Sequence, residues 1–386
     1  IPADEMLPFA QAVSRVFARL GEKKNRAKAR MKFLIEKIGM DEFKRQVEEE
    51  RAKLPHDDSW RSQIEKASSE YRDEPGRAPS ELKIPYDVDP NFTPWLDVNV
   101  RPQVQPGYAM VEIMLPLGDI SADQMRGLAS LCRRYVADTI RTTVDQNLLV
   151  RWVPQGDLIE FFEGLEKLQL ADTGAGRLSD ITACPGTDSC KLGIASSRGL
   201  AAALQKKFNN GMQRIAKRAD VKVKISGCFN SCGQHHIADI GLFGSVQRKG
   251  QHSAPVFQIL LGGRTKDNAS SFGLTVAKVA AKKAPAAIEK LTNLYTEHKL
   301  EGESFADFTT RFGRVRVKQE LQEFTVRTSF EETPELYEDN RQPWEYKTSL
   351  GVGECAGAVI DQAEFMLEDA DRLNFEALQQ KLNSGR

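Results

Sequence analysis

The chain has 386 residues, which is enough for two or three domains that each bury a core. Its 54 basic residues balance 54 acidic ones and 40% of its residues are apolar, as in an ordinary globular protein. This balance gives no indication of a nucleic-acid or membrane partner, and we expect neither. The sequence contains no apolar run of membrane-spanning length and no secretory leader, so we expect a cytoplasmic protein, and a chain that begins inside a longer one.

Residues 1–53 are predicted to be helical, because apolar residues recur at helical spacing over 8–20 and 25–38. Basic residues crowd the second of these segments, and its composition alone indicates a solvated helix face. The next segment, 54–90, is polar and rich in Pro, Asp and Ser, so it is predicted to be a linker.

Residues 91–168 show a compact alternation of predicted strands and helices. Strands are predicted at 107–115, 139–143 and 147–153, with helices at 121–135 and 157–168. The first helix begins with a capping box formed by Ser121 and Gln124. The order β-α-β-β-α is typical of a ferredoxin-like half-domain.

Residues 169–314 contain most of the cysteines and a second mixture of strands and helices. Strands are predicted at 221–226, 237–243 and 256–261. Helices are predicted at 195–208 and 285–298. The remaining residues, 315–386, are predicted to form a helical C-terminal extension, to which the sequence assigns no role.

Four of the six cysteines lie within 49 residues, as Cys184-x5-Cys190 and Cys228-x3-Cys232. Four thiolates can bind zinc or an iron–sulfur cluster. The spacing of five residues is long for a zinc site, and nearby glycines allow the backbone to approach an inorganic cluster. The residues alone therefore favour an iron–sulfur cluster over zinc, with buried thiols as a third alternative. Cys132 and Cys355 stand apart from this group.

Two motifs resemble those of the siroheme-dependent nitrite/sulfite reductase family. The run TACPGTDSC at 182–190 is similar to its first cysteine motif, and SGCFNSCG at 226–233, continuing to ADIG at 238–241, is similar to its second. The segment IRTTVDQN at 140–147 resembles a hairpin of the family's second repeat. The segment GESFADF at 302–308 resembles the end of its catalytic domain. The resemblance covers about residues 1–314.

The resemblance implies that all four cysteines bind one [4Fe–4S] cluster, with Cys232 also bridging that cluster to the iron of siroheme. It further implies siroheme contacts from Asn230, Arg30 and Arg26. The implied activity is six-electron reduction of sulfite to sulfide or of nitrite to ammonia, with ferredoxin or a flavoprotein as electron donor. The implied architecture is α+β, with a half-domain followed by a catalytic domain that binds both cofactors, and helical ends.

The chain departs from the family at its beginning. By the resemblance, Ile1 follows the half that supplies most of the substrate-binding Arg and Lys residues, and we expect a fragment of a longer enzyme. Residue Phe229 stands where some relatives have Pro.

The alternatives to a siroheme-dependent reductase are an electron-transfer module with a cluster but no siroheme, and an interaction domain stabilised by zinc.

Overall fold

The computed structural model describes residues 1–25, 28–55, 57–70, 74–137, 140–209, 220–264, 271–326, 328–342 and 344–347. Two compact units are present, residues 1–74 and residues 75–386. Cys355 and the helix predicted near the C-terminus lie outside the described residues.

The first unit is helical, as predicted. Its helices are α1 (Met6–Leu20), α2 (Met31–Ile38), α3 (Met40–Arg51) and α4 (Asp58–Glu70). The first three enclose a small apolar core built around Val16, Leu34 and Val47. An ion pair between Arg19 and Glu50 at 3.0 Å joins α1 to α3 beside this core.

Two details of this unit differ from the sequence-based expectations. The second helix begins at Met31 rather than near Asn25, because the Glu22 carboxylate accepts the backbone N–H groups of Lys24 and Asn25 and turns the chain there. Helix α4 lies inside the segment predicted to be a linker. Its start is capped by Asp57, whose carboxylate accepts the N–H of Ser59 at 2.9 Å.

The second unit begins with the half-domain. Its elements are α5 (Phe92–Asn99), β1 (Val100–Pro102), β2 (Tyr108–Ile113), α6 (Ala122–Tyr135), β3 (Ile140–Thr142), β4 (Leu148–Pro154) and α7 (Leu158–Lys167). The four strands form an antiparallel sheet in the order β1-β2-β4-β3. The predicted β-α-β-β-α order is confirmed from β2 to α7, whereas α5 and β1 before it were not predicted. The capping box of Ser121 and Gln124 is present at the start of α6.

A second sheet follows, with five strands in the order in which they occur in the chain. These strands are β5 (Thr182–Ala183), β6 (Val223–Ser226), β7 (Ile240–Lys249), β8 (His252–Leu261) and β9 (Leu274–Ala280). The strands β5, β6 and β7 pair in parallel, and β8 pairs antiparallel with both β7 and β9. The helices of this region are α8 (Ser197–Asn209), α9 (Ala284–His298), α10 (Phe305–Phe312) and α11 (Arg314–Glu320).

These helices and strands enclose the largest apolar core of the described residues, which includes Leu204, Ile225 and Ile288. The expected α+β class, with its half-domain and a second α+β region, is thus confirmed. The boundaries expected at residues 53, 90, 168 and 314 remain predictions. Among the described helices, none is both long enough and apolar enough to cross a membrane.

The strand predicted to begin at Ile237 begins at Ile240 instead. Residues His235–Ile237 form a helical turn, entered through the left-handed backbone of Gln234 (φ 60°). The buried His235 ring anchors this turn to Ser226, so the chain joins the sheet only where Ile240 pairs with Val223. Strand pairing, rather than local apolar alternation, therefore decides where β7 begins.

Candidate metal centre

The four clustered cysteines lie at one edge of the five-stranded sheet. Cys184 follows β5 directly, and Cys228 follows β6 after a single residue, Gly227. Because β5 and β6 are parallel neighbours, their carboxyl ends deliver one cysteine from each pair to the same edge. The N–H of Cys184 donates to the carbonyl of Ile225 at 3.1 Å, and the N–H of Gly227 donates to the Cys184 sulfur at 3.1 Å.

Glycine is required where the two cysteine loops meet. A Cβ on Gly227 would lie 2.6 Å from the Cα of Gly186 and 2.8 Å from the carbonyl oxygen of Ala195. Gly186 itself has a left-handed backbone (φ 58°), and a Cβ there would lie 2.8 Å from the backbone nitrogen of Ser197. Main chain therefore packs directly on main chain behind the cysteines.

Hydrogen bonds tie the first cysteine loop to the second. The N–H of Cys190 donates to the carbonyl of Gly186 at 3.0 Å and closes the turn between the first two cysteines. The carbonyl of Gly227 accepts the N–H groups of Ile194 and Ala195 at 2.9 and 3.0 Å. Movement of the chain after Cys190 would therefore disturb the residue that precedes Cys228.

Ser226 organises the loop that carries the second pair. Its hydroxyl accepts the N–H of Gly233 at 3.1 Å and forms a hydrogen bond of 2.8 Å with Nδ1 of His235. His235 is fully buried, and this burial, followed by the neighbouring His236, lowers its pKa to about 4. A buried neutral imidazole thus holds the turn that follows Cys232.

The electrostatics of Cys228 reflect its neighbours. Burial raises the pKa of this thiol, and the sulfurs of Cys184, Cys190 and Cys232 each raise it further, whereas the N–H of Asn230 lowers it. The three other cysteine sulfurs therefore act on Cys228 as like charges. A cationic metal core relieves this repulsion, since it stabilises the deprotonated sulfurs.

The other predicted site residues lie as follows. The Asn230 side chain is exposed, as is its neighbour Phe229, while its backbone N–H points to the Cys228 sulfur. Arg30 is exposed in the first unit, in extended conformation immediately before α2. Arg26 lies outside the described residues. The roles predicted for Asn230, Arg30 and Arg26 at siroheme stay predictions.

Four side chains behind the site were not singled out from the sequence: Gln146, Asp145, Lys222 and Lys224. Gln146, in the β3–β4 turn, donates its amide to the carbonyl of Ala183 at 2.9 Å and accepts the N–H of Ala183 at 3.0 Å. In the same turn, Asp145 accepts bonds from Lys222 at 2.8 Å and Lys224 at 2.7 Å. Lys222 immediately before β6 and Lys224 within it were a visible signal, but Asp145 lies 77 and 79 residues away from them.

These residues suit an iron–sulfur cluster by the chemistry of their donors. Four cysteine sulfurs are the usual ligand set of a [4Fe–4S] cluster, and backbone N–H groups near the sulfurs tune such clusters. The N–H groups of Gly227 and Asn230 meet that second need. Within the described ranges, no three His, Cys, Asp or Glu side chains converge tightly enough to chelate a single metal ion.

The chain matches two family models. Residues 101–168 match the nitrite/sulfite reductase ferredoxin-like half domain. Residues 1–55 and 174–327 match the nitrite and sulphite reductase 4Fe-4S domain. The second match contains all four clustered cysteines and the whole five-stranded sheet.

Curated relatives and a solved structure agree with these matches. A sulfite reductase (ferredoxin) of Mycobacterium tuberculosis is 31% identical over 317 residues, covering 81% of this chain and 52% of the relative. A chloroplastic ferredoxin–nitrite reductase of Spinacia oleracea is 30% identical over 270 residues, covering 68% and 40%. The structure of the Mycobacterium tuberculosis NirA protein aligns with a TM-score of 0.63 at 30% identity, covering 82% of this chain and 54% of that one. The chain spans about half the length of the curated relatives it matches. Because the two family models together match residues 1–55, 101–168 and 174–327, this chain belongs to the nitrite/sulfite reductase family.

Proposed function

We propose that Cys184, Cys190, Cys228 and Cys232 bind the family's [4Fe–4S] cluster, and that Cys232 also bridges the cluster to siroheme. The chain is then the electron-delivering part of an enzyme that reduces sulfite to sulfide or nitrite to ammonia. The observation that carries this proposal is the pair of parallel strand ends at Cys184 and Cys228, joined by the N–H of Gly227 on the Cys184 sulfur.

When bound, the cluster and siroheme would supply the redox chemistry for six-electron reduction of the anion. The residues of this chain hold and tune the thiolates. The N–H groups of Gly227 and Asn230 stabilise negative charge on the sulfurs of Cys184 and Cys228. Cys232 is exposed, which suits a sulfur that must reach a second group beyond the cluster.

The proposed substrates and electron donor rest on the names of the relatives and not on a pocket of the structure. Relatives named for sulfite and for nitrite reduction match at 31% and 30% identity, so both anions belong to the proposal. The names of these relatives include ferredoxin, which we propose as the electron donor, with a flavoprotein as the second candidate. Because cysteine thiolates must stay reduced to bind a cluster, we propose a cytoplasmic location.

The variant Cys232→Ser tests the bridging role. The chain is purified without oxygen from cells that make siroheme, and extracted siroheme, iron, acid-labile sulfide and reductase activity are measured. We expect loss of siroheme coupling and of activity, because serine lacks the soft thiolate sulfur that the iron of such clusters prefers. Cys132→Ala is the matched control, since Cys132 is buried in the half-domain core away from the cluster motifs. A Cys232→Ser variant with full activity would rule out the bridge and favour a cluster that transfers electrons without siroheme contact.

A further inference from the structure

The segment after the family match contacts the cysteine loops. The match to the 4Fe-4S domain ends at residue 327, and the described residues beyond it are 328–342 and 344–347, here called the C-terminal strap. Leu336 and Tyr337 of the strap are buried in a small apolar cluster with Val256 of β8. The strap is therefore a packed part of the second unit.

Asp339 makes the most buried polar contact of the strap. Its side chain is fully buried, and one carboxylate oxygen accepts the N–H of Ser196 at 2.8 Å. The other oxygen accepts the N–H of Asn340 at 2.8 Å. Ser196 immediately precedes α8 and follows the loop that carries Cys190, so Asp339 fixes the point at which that loop becomes helix.

Two further contacts hold the same loop. The guanidinium of Arg341 pairs with Asp188, which lies between Cys184 and Cys190, at 2.5 Å. The hydroxyl of Tyr346 donates to the carbonyl of Ile194 at 2.6 Å. Three strap residues thus bind the cysteine loop at three points between residues 188 and 196.

The restraint extends to the second cysteine pair. Because Ile194 and Ala195 donate to the carbonyl of Gly227, a loop held by the strap also holds the residue before Cys228. We propose that the C-terminal strap positions the cysteine loops and thereby retains the cluster, with Asp339 and Arg341 as positioning residues. The part of this inference that concerns the cluster rests on the proposed function.

Amide hydrogen exchange of the full chain without cofactors tests the positioning directly. We compare the wild-type chain with Asp339→Ala and Arg341→Ala, with Arg341→Lys as the conservative rescue. Glu335→Gln is the control, because Glu335 is an exposed residue of the same strap. Loss of a buried hydrogen bond to a charged group is expected to speed exchange in residues 188–196 about tenfold in Asp339→Ala. Exchange in β2 and β4 should not change.

Loaded chains give the second readout. With a cluster bound, Asp339→Ala and Arg341→Ala should lose iron to a chelator about tenfold faster than the wild type and the control, with partial rescue in Arg341→Lys. Unchanged exchange in the loop, or equal acceleration throughout the second unit, would overturn the positioning role. A wild-type chain that never contains iron and sulfide would overturn the proposed function and cluster retention together. The exchange data would still decide the positioning role.

Discussion

The side-chain amide of Gln146 pairs with both backbone groups of Ala183, the residue immediately before Cys184. The two bonds, 2.9 and 3.0 Å long, occupy the edge of β5 as a neighbouring strand would. Gln146 belongs to the β3–β4 turn of the half-domain, so this contact connects the four-stranded sheet to the start of the first cysteine motif. The half-domain therefore contacts the strand that leads into Cys184.

Replacing Gln146 with alanine should destabilise the fold. The buried backbone groups of Ala183 would lose both partners, which we expect to lower the free energy of unfolding by about 2–3 kcal/mol. Urea denaturation measures this change. Gln169→Ala is the matched control, because Gln169 shares the left-handed backbone but has an exposed side chain. Equal losses in both variants would show that the Gln146 amide contributes nothing.

The buried ion pair between Asp145 and Lys224 should be strongly coupled. The Lys224 side chain is 2% exposed, so Asp145→Ala leaves a buried ammonium whose remaining described partner is the Thr182 hydroxyl. We expect a loss of about 3 kcal/mol in unfolding free energy for Asp145→Ala, and a smaller loss for Asp145→Ala combined with Lys224→Met. Denaturation of the two single variants and the double variant gives the coupling energy. Additive losses would contradict the pairing.

Because of Asp180, the free energy of unfolding should fall as the pH rises from 4 to 6. Burial raises the pKa of this carboxyl to about 6, although bonds from Gly176 and Asn147 oppose the rise. The unfolded chain loses this proton near its usual pKa of 3.8, so between pH 4 and 6 the folded state binds more protons and loses stability as pH rises.

The variant Asp180→Asn isolates that contribution. It should gain stability relative to the wild type by about 2–3 kcal/mol between pH 4 and 6, as expected for two pKa units. Urea denaturation of both proteins at several pH values gives the difference between their free energies of unfolding. The contributions of the other titrating groups cancel in this difference. A difference that does not change with pH would contradict the raised pKa.

Gly227→Ala should abolish cluster binding. The added Cβ would meet backbone atoms of Gly186 and Ala195 that cannot move without opening the cysteine loops. Iron and acid-labile sulfide per chain report the loss. Gly250→Ala is the control for a glycine replacement away from the cysteines, because its Cβ would have open space and only the strain of its left-handed backbone (φ 61°) would remain. Normal iron and sulfide content in Gly227→Ala would contradict this prediction, since it would show that the two cysteine loops can move apart and still bind the cluster.

Local patterns predicted much of the fold, and they grouped the four cysteines as a candidate ligand set that stays a prediction. The capping box at Ser121 and the alternation around β2 and β4 specified the half-domain, because those signals lie within one element. The boundary errors at Met31 and Ile240 arose where a distant or side-chain contact decides the backbone. The contacts Gln146–Ala183 and Asp339–Ser196 join residues 37 and 143 positions apart, and no local pattern encodes such pairs.

The measurement that tests the central claim most directly is the ultraviolet–visible spectrum of the chain, purified without oxygen from cells that make siroheme. Iron and acid-labile sulfide are assayed on the same sample. The account predicts a Soret band, a band in the red region and iron in excess of sulfide, because siroheme carries an iron of its own. A colourless chain that contains zinc would contradict the account.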